Sequence, residues 1–329
     1  MKLFYSVSSR VSWGLASLFA ILILGPRHGA FSAAREEKLP AGFAALVPLH
    51  AKLKAPQMGD WLDRHYEFGQ TYQQYLRSFP VRADSSRTIY IQPLGRMDRR
   101  QCQIMELAGE FLGKYYQLPT KVLPEISLDG LPKQARRKQS DAADEQVLTG
   151  HLLDHVLKPA LPKDAAVVIG FTTKDLWPGD GWNYVFGQAS LTDRVGVWSI
   201  CRYGNPAADD ATYRLCLART LKTAAHEMGH MFSMSHCIFH QCNMCGANSL
   251  READSHPMEM CPQCLTKLCY ATGAEPGKRF TELADFYQRI GMKDEQAFCE
   301  KSLRAWQRAQ RTSTATPTTS KRERGVSHN

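Results

Sequence analysis

The segment His226-Glu227-Met228-Gly229-His230-Met231-Phe232-Ser233-Met234-Ser235-His236 constrains this chain more than any other. Residues four apart on a helix share one face, so His226 and His230 can offer two imidazoles to a single ion. Zinc takes neutral imidazole nitrogen at about 2.0–2.1 Å, and a catalytic site keeps three protein ligands and one open position. Glu227 lies about 100° round the helix, beside the ion, where its carboxylate can take a proton from water activated by the metal. The expected third ligand is His236, six residues after His230. A continuing helix would carry it to another face, so the chain must turn sharply near Ser233. The fold therefore needs a long helix, with Asp209 or Asp210 as N-cap after Pro206. Leu215, Leu217, Ala218, Leu221, Ala225 and Met228 supply its apolar faces.

Cysteines follow at once. Cys261-Pro262-Gln263-Cys264 is a CxxC knuckle, and Cys237 and Cys242 enclose four residues. Zinc bound by four sulfurs is tetrahedral, closed to water and structural; in an oxidising compartment the same residues would form disulfides instead. Cys102, Cys201, Cys216, Cys245, Cys269 and Cys299 have no metal spacing and are expected as buried or free thiols. The cofactor expected is thus Zn2+, two per chain, one catalytic and one structural.

Upstream, Thr88–Pro93 is a β-branched and aromatic run that reads as a strand, and residues 121–123 as a second. Gln103–Tyr116 repeats apolar residues at helical spacing. Residues 125–140 read as a loop, Gln146–Leu157 as a helix, and Ala165–Phe171 as a buried strand. Tyr184–Leu191 and Val195–Cys201 read as further strands, the latter alternating enough to be an exposed edge. Strands alternating with helices predict an α/β fold with a mostly parallel sheet confined to residues 87–201. Phe280, Leu283, Phe286, Tyr287 and Ile290 at helical spacing predict C-terminal core helices.

His226 through Met244 and on to Cys264 resembles the archaemetzincins, metzincin metalloproteases with the motif HExxHxxGx3Cx4CxM followed by a distant CxxC. Met244 falls at the family's Met-turn position, beneath the catalytic zinc. Thr88–Gly95 resembles the family's first strand, and Val185–Leu191 with Gly196-Val197 its segment before the active-site helix, so the resemblance covers roughly residues 87–270. It implies that His226, His230 and His236 bind the catalytic zinc, that Glu227 is the general base, and that Cys237, Cys242, Cys261 and Cys264 bind a second zinc. The fold implied is a metzincin-like zincin domain: a mixed, mostly parallel sheet, a long active-site helix and a mainly helical, zinc-stapled C-terminal subdomain. Ser233 stands where the family usually has glycine. A non-glycine residue at positive φ typically costs about 1 kcal/mol, small beside zinc coordination, so a strained but intact turn is expected.

Charge bears on partners. Four basic residues and no acid lie in residues 1–35, and seven basic residues against Glu323 in residues 301–329, so the net +9 leaves −1 for residues 36–300. A nucleic-acid binder carries basic charge on its folded surface, so no nucleic-acid partner is expected. Residues 1–32 read as a targeting segment. Lys2 and Arg10 precede an apolar run, residues 11–24, shorter than the roughly 20 residues of a spanning helix, and Ala30-Phe31-Ser32 suits a signal-peptidase cut before Ala33. Secretory or extracellular localisation follows if it is cleaved; the acid-free composition also fits an organelle presequence, and an uncleaved run would be an anchor, the only membrane span expected. Residues 33–86 are expected as an N-terminal extension, 87–311 as the catalytic domain and 312–329 as a disordered polar tail. The expected function is zinc-dependent hydrolysis of a peptide or protein substrate, as an aminopeptidase or endopeptidase, with the peptide extended along residues 195–201. The alternative is a catalytically weak or inactive zinc-binding interaction protein, which Ser233 alone favours.

Overall fold

The computed structural model describes residues 37–138 and 145–314. Its strands are β1 (Thr88–Leu94), β2 (Thr120–Val122), β3 (Arg136–Arg137), β4 (Gln146–Leu148), β5 (Ala165–Thr172), β6 (Asp175–Trp177), β7 (Gly187–Ala189) and β8 (Val195–Ser199). Its α-helices are α1 (Ala41–Ala44), α2 (Trp61–Arg64), α3 (Tyr72–Arg77), α4 (Arg99–Tyr116), α5 (Thr149–His151), α6 (Asp210–Met231), α7 (Leu250–Ser255), α8 (Pro262–Thr272), α9 (Pro276–Ile290) and α10 (Lys293–Thr314).

β1 and β5 are buried along their whole length, as strands covered on both faces must be. They sit at the centre of a five-stranded sheet of order β2-β1-β5-β8-β7, parallel except for β7 against β8. Alternation along each strand divides the core. Ile89, Ile91, Val167, Ile169, Phe171 and Trp198 face the thick layer of α4, α6, α8 and α9. Tyr90, Leu94, Val168, Val195 and Val197 face a thinner layer around Leu152, Leu153 and Leu157.

Several expectations are corrected. Val195–Ser199 is not an edge: it is buried between β5 and β7, and β7 ends the sheet. Gly196 breaks the apolar run of this strand, yet a Cβ on it would lie 3.1 Å from Met231 Sδ, so that glycine marks close helix packing. The helix expected over Gln146–Leu157 begins as β4, paired with β6, and its second half, Leu152–Leu157, is a π-helical turn. The loop of residues 125–140 holds β3, and of Tyr184–Leu191 only Gly187–Ala189 is strand. Leu215 is exposed rather than buried.

The N-terminal segment joins the main core through Leu46, Tyr75 and Ala83, and the Tyr75 hydroxyl donates to the Phe232 carbonyl at 2.8 Å. Phe280, Leu283, Phe286 and Tyr287 are buried as their spacing predicts. The targeting segment and residues 315–329 of the polar tail lie outside the described residues, while residues 312–314 finish α10. No helix among the described residues is long and apolar enough to cross a membrane.

Candidate metal centre

α6 is capped by Asp209, whose carboxylate accepts the Thr212 amide hydrogen at 2.7 Å, a side-chain cap on an orphan N–H. It ends at Met231, and the chain turns at Ser233, where φ is +64°. The turn is tied from both sides: the Ser233 hydroxyl accepts from the Val81 amide at 3.1 Å and donates to the Leu191 carbonyl at 2.8 Å. This brings His236 back to His226 and His230, and the three rings offer nitrogens within 4.8 Å of one another.

Hydrogen bonds select the converging nitrogens. His226 Nδ1 lies 2.8 Å from the Asn243 carbonyl, His230 Nδ1 2.7 Å from the Met234 carbonyl, and His236 Nδ1 2.6 Å from Glu67 Oε1. Each Nδ1 faces an oxygen acceptor and so carries the ring proton, which leaves the lone pair on Nε2. The Nε2 atoms of His226 and His230 stand 3.0 Å apart. Two lone pairs aimed at one point repel unless a cation lies between them, so this donor set fits a metal ion. Burial, followed by the neighbouring imidazoles, pushes His226 well below its usual range, and burial and His236 push His230 down to about 3. Both rings are thus neutral, the ligand form.

Glu227 is fully buried beside these rings, and neither carboxylate oxygen has a hydrogen-bond partner among the described residues. Burial pushes its carboxyl well above the usual range; a divalent cation at the histidines would pull it back. Its place depends on Gly187 of β7, where a Cβ would stand 2.7 Å from Glu227 Oε1. Gly229 makes similar room for Met244, whose Sδ would be 2.4 Å from an added Cβ.

Cys237, Cys242, Cys261 and Cys264 bring their sulfurs within 4.8 Å of one another, buried and unbridged. The Cys237 and Cys261 sulfurs are 3.7 Å apart. A tetrahedron with 2.3 Å zinc–sulfur bonds has edges of about 3.8 Å, so this set fits zinc also. Hydrogen bonds from Cys242, Cys245 and Cys261 hold the Cys237 thiol well below its usual range, while burial raises Cys242 and Cys261. Cys245, which has no metal spacing in the sequence, nonetheless lies beside this cluster, 3.3 Å from the His240 carbonyl.

The N-terminal segment reaches the histidines, a contact no sequence spacing announces. Glu67 Oε1 accepts from both His236 Nδ1 and, at 2.8 Å, Trp61 Nε1. Burial alone would raise the Glu67 carboxyl, but the bonds from His236 and Trp61 hold it below the usual range. A cavity of about 320 Å³ opens onto His230 and His236 between Trp61, Phe68, Ala189 and Leu191. A larger depression of about 730 Å³ beside α4 and Tyr213 lies away from the histidines, lined by side chains of both charges.

A model for peptidase family M54 matches residues 150–269. Archaemetzincin-2 of Homo sapiens is 31% identical over 294 residues, spanning 79% of this chain and 81% of that protein. Archaemetzincin-1 of Homo sapiens is 27% identical over 269 residues, or 70% of this chain and 52% of that protein. The crystal structure of archaemetzincin from Methanopyrus kandleri is similar with a TM-score of 0.47 and 27% identity, over 58% of this chain and 98% of that chain.

Proposed function

The chain belongs to the archaemetzincin family of zinc metallopeptidases, and from that premise we propose that it hydrolyses peptides at the histidine centre, with Glu227 as general base. His226, His230 and His236 would hold the catalytic zinc through Nε2, and Cys237, Cys242, Cys261 and Cys264 a second, structural zinc. When bound at the histidines, zinc supplies Lewis-acid polarisation of the scissile carbonyl and of the attacking water. The peptide lies extended along β7, one of the two marginal strands of the sheet, by main-chain pairing of the strand-addition kind. Ala189 and Leu191 place that margin at the cavity. Glu227 takes the proton of the attacking water and later hands it to the leaving amine; no hydrogen bond among the described residues competes for its oxygens. Burial favours the protonated carboxyl once that proton has arrived. Met244, packed on Gly229, floors the site in the manner of a Met-turn.

The observation that carries this reading is the convergence of Nε2 atoms with Glu227 unpartnered beside them. Glu227→Gln keeps size and burial, so it is expected to retain both zincs while turnover of a peptide library falls by about 10²–10⁴-fold, the usual worth of a general acid–base. Undiminished cleavage by a pure E227Q preparation would remove Glu227 from the reaction. Sequencing the wild-type products distinguishes internal from amino-terminal cleavage.

A further inference from the structure

The histidines differ in what holds their outer nitrogen. His226 and His230 donate to main-chain carbonyls of residues 243 and 234, close by in the chain. His236 alone donates to a carboxylate, and that carboxylate comes from 169 residues away, in a segment outside the family-model match. We propose that Glu67 is a positioning residue of the metal centre, fixing the His236 ring with Nε2 toward the ion, so that the N-terminal segment around residues 61–70 is part of the active site. The proposal rests on the histidines holding zinc, as proposed above.

The geometry is built for one orientation. Glu67 Oε1 is held by Trp61 Nε1 as well as by His236, and the Trp61 ring meets His236 edge-on, centroids 5.1 Å apart. Trp61 is in turn fixed: its amide donates to both oxygens of Glu252 at 2.9 and 3.1 Å, and its ring fills the space above Gly246. The segment alternates, with Glu67 turned inward and Tyr66 and Phe68 exposed on either side. Gln70 clamps its far end, donating to the Ser233 carbonyl at 3.2 Å, accepting from the Ser235 amide at 3.3 Å, and accepting from the buried Lys267 ammonium at 3.2 Å. His236 follows the one bend in the ligand segment, so its ring is set less by the helix than those of His226 and His230. A carboxylate on Nδ1–H fixes the tautomer and raises the basicity of Nε2 toward a metal.

The test is zinc competition against a chromogenic chelator in the full-length chain, comparing wild type, Glu67→Gln and Glu67→Ala. Wild type is expected to release one zinc readily and keep the other. In E67Q, which preserves shape, the labile zinc should bind about 10-fold more weakly, and in E67A about 100-fold, the range of outer-shell partners, with the resistant zinc unchanged in E67Q. Unchanged affinity for the labile zinc in both variants would overturn the proposal. So would parallel weakening of both zincs in E67Q, which would make Glu67 a general stabiliser. A wild-type chain with only a resistant zinc would instead overturn the histidine assignment on which the proposal stands.

Discussion

Ser233 shows how a single residue is kept against its own backbone preference. At φ +64° a serine is strained where glycine is not, yet its hydroxyl joins Val81 to Leu191 across the turn that delivers His236. Ser233→Ala keeps the strain and removes both bonds, so it should destabilise by about 1–3 kcal/mol. Ser233→Gly loses the same bonds but relieves the strain, about 1 kcal/mol, and should be the milder change. Urea denaturation of the two variants checks the order, and a glycine variant less stable than the alanine one would contradict it. The turn itself was legible in the sequence, because three histidines at those offsets cannot reach one ion otherwise. The hydroxyl's partners were not, since Val81 and Leu191 are distant in the chain. Glu67 was hidden for the same reason: an acidic residue between two aromatics carries no local sign that it will meet His236.

Among the elements, β7 is short but sets the cleft, and at Gly187 within it an added methyl would meet the Glu227 carboxylate. An alanine there would drive Glu227 from its place, while pairing of residue 187 with Trp198 needs only main chain. Gly187→Ala should therefore fold and keep zinc but lose about 100-fold in turnover, the scale of a 1 Å misplacement; full activity would show that Glu227 can shift without consequence. Elements whose signal is local were readable: α6 from its cap and apolar spacing, β1 and β5 from unbroken apolar runs, α9 from its aromatic stripe. β4 was not. Gln146-Val147-Leu148 has no strand signature of its own and becomes extended by pairing with β6. The sequence of β8 reads as an edge strand, whereas its Gly196 is small to admit Met231.

In the whole molecule, a buried ion pair and desolvated histidines set the conditions for stability. Arg279 and Glu259 form a fully buried pair at 2.8 Å, and Arg279 Nε also donates to the Tyr115 carbonyl at 2.7 Å, joining α9 to α4. Arg279→Met would strand the Glu259 carboxylate and should cost about 3–5 kcal/mol. A loss under 1 kcal/mol in denaturation would mean that Glu259 finds water or another donor. Burial, then His240, pushes His50 down from 6.5 to about 4, and burial, then Lys222, does the same to His256. Their folded values lie below the unfolded ones, so their contribution is complete above pH 6.5 and is lost as pH falls toward about 4. His226 and His230 act with the same sign. The urea midpoint should thus fall steadily as pH drops between these limits, and a flat profile would contradict the lowered values of these rings. The most direct single measurement is anomalous diffraction at the zinc edge from crystals of the full-length, zinc-loaded chain. Two peaks are expected, one about 2.0–2.1 Å from the Nε2 atoms of His226, His230 and His236 and one enclosed by the four cysteine sulfurs. A peak at the cysteines with none at the histidines would contradict a catalytic zinc centre in this chain.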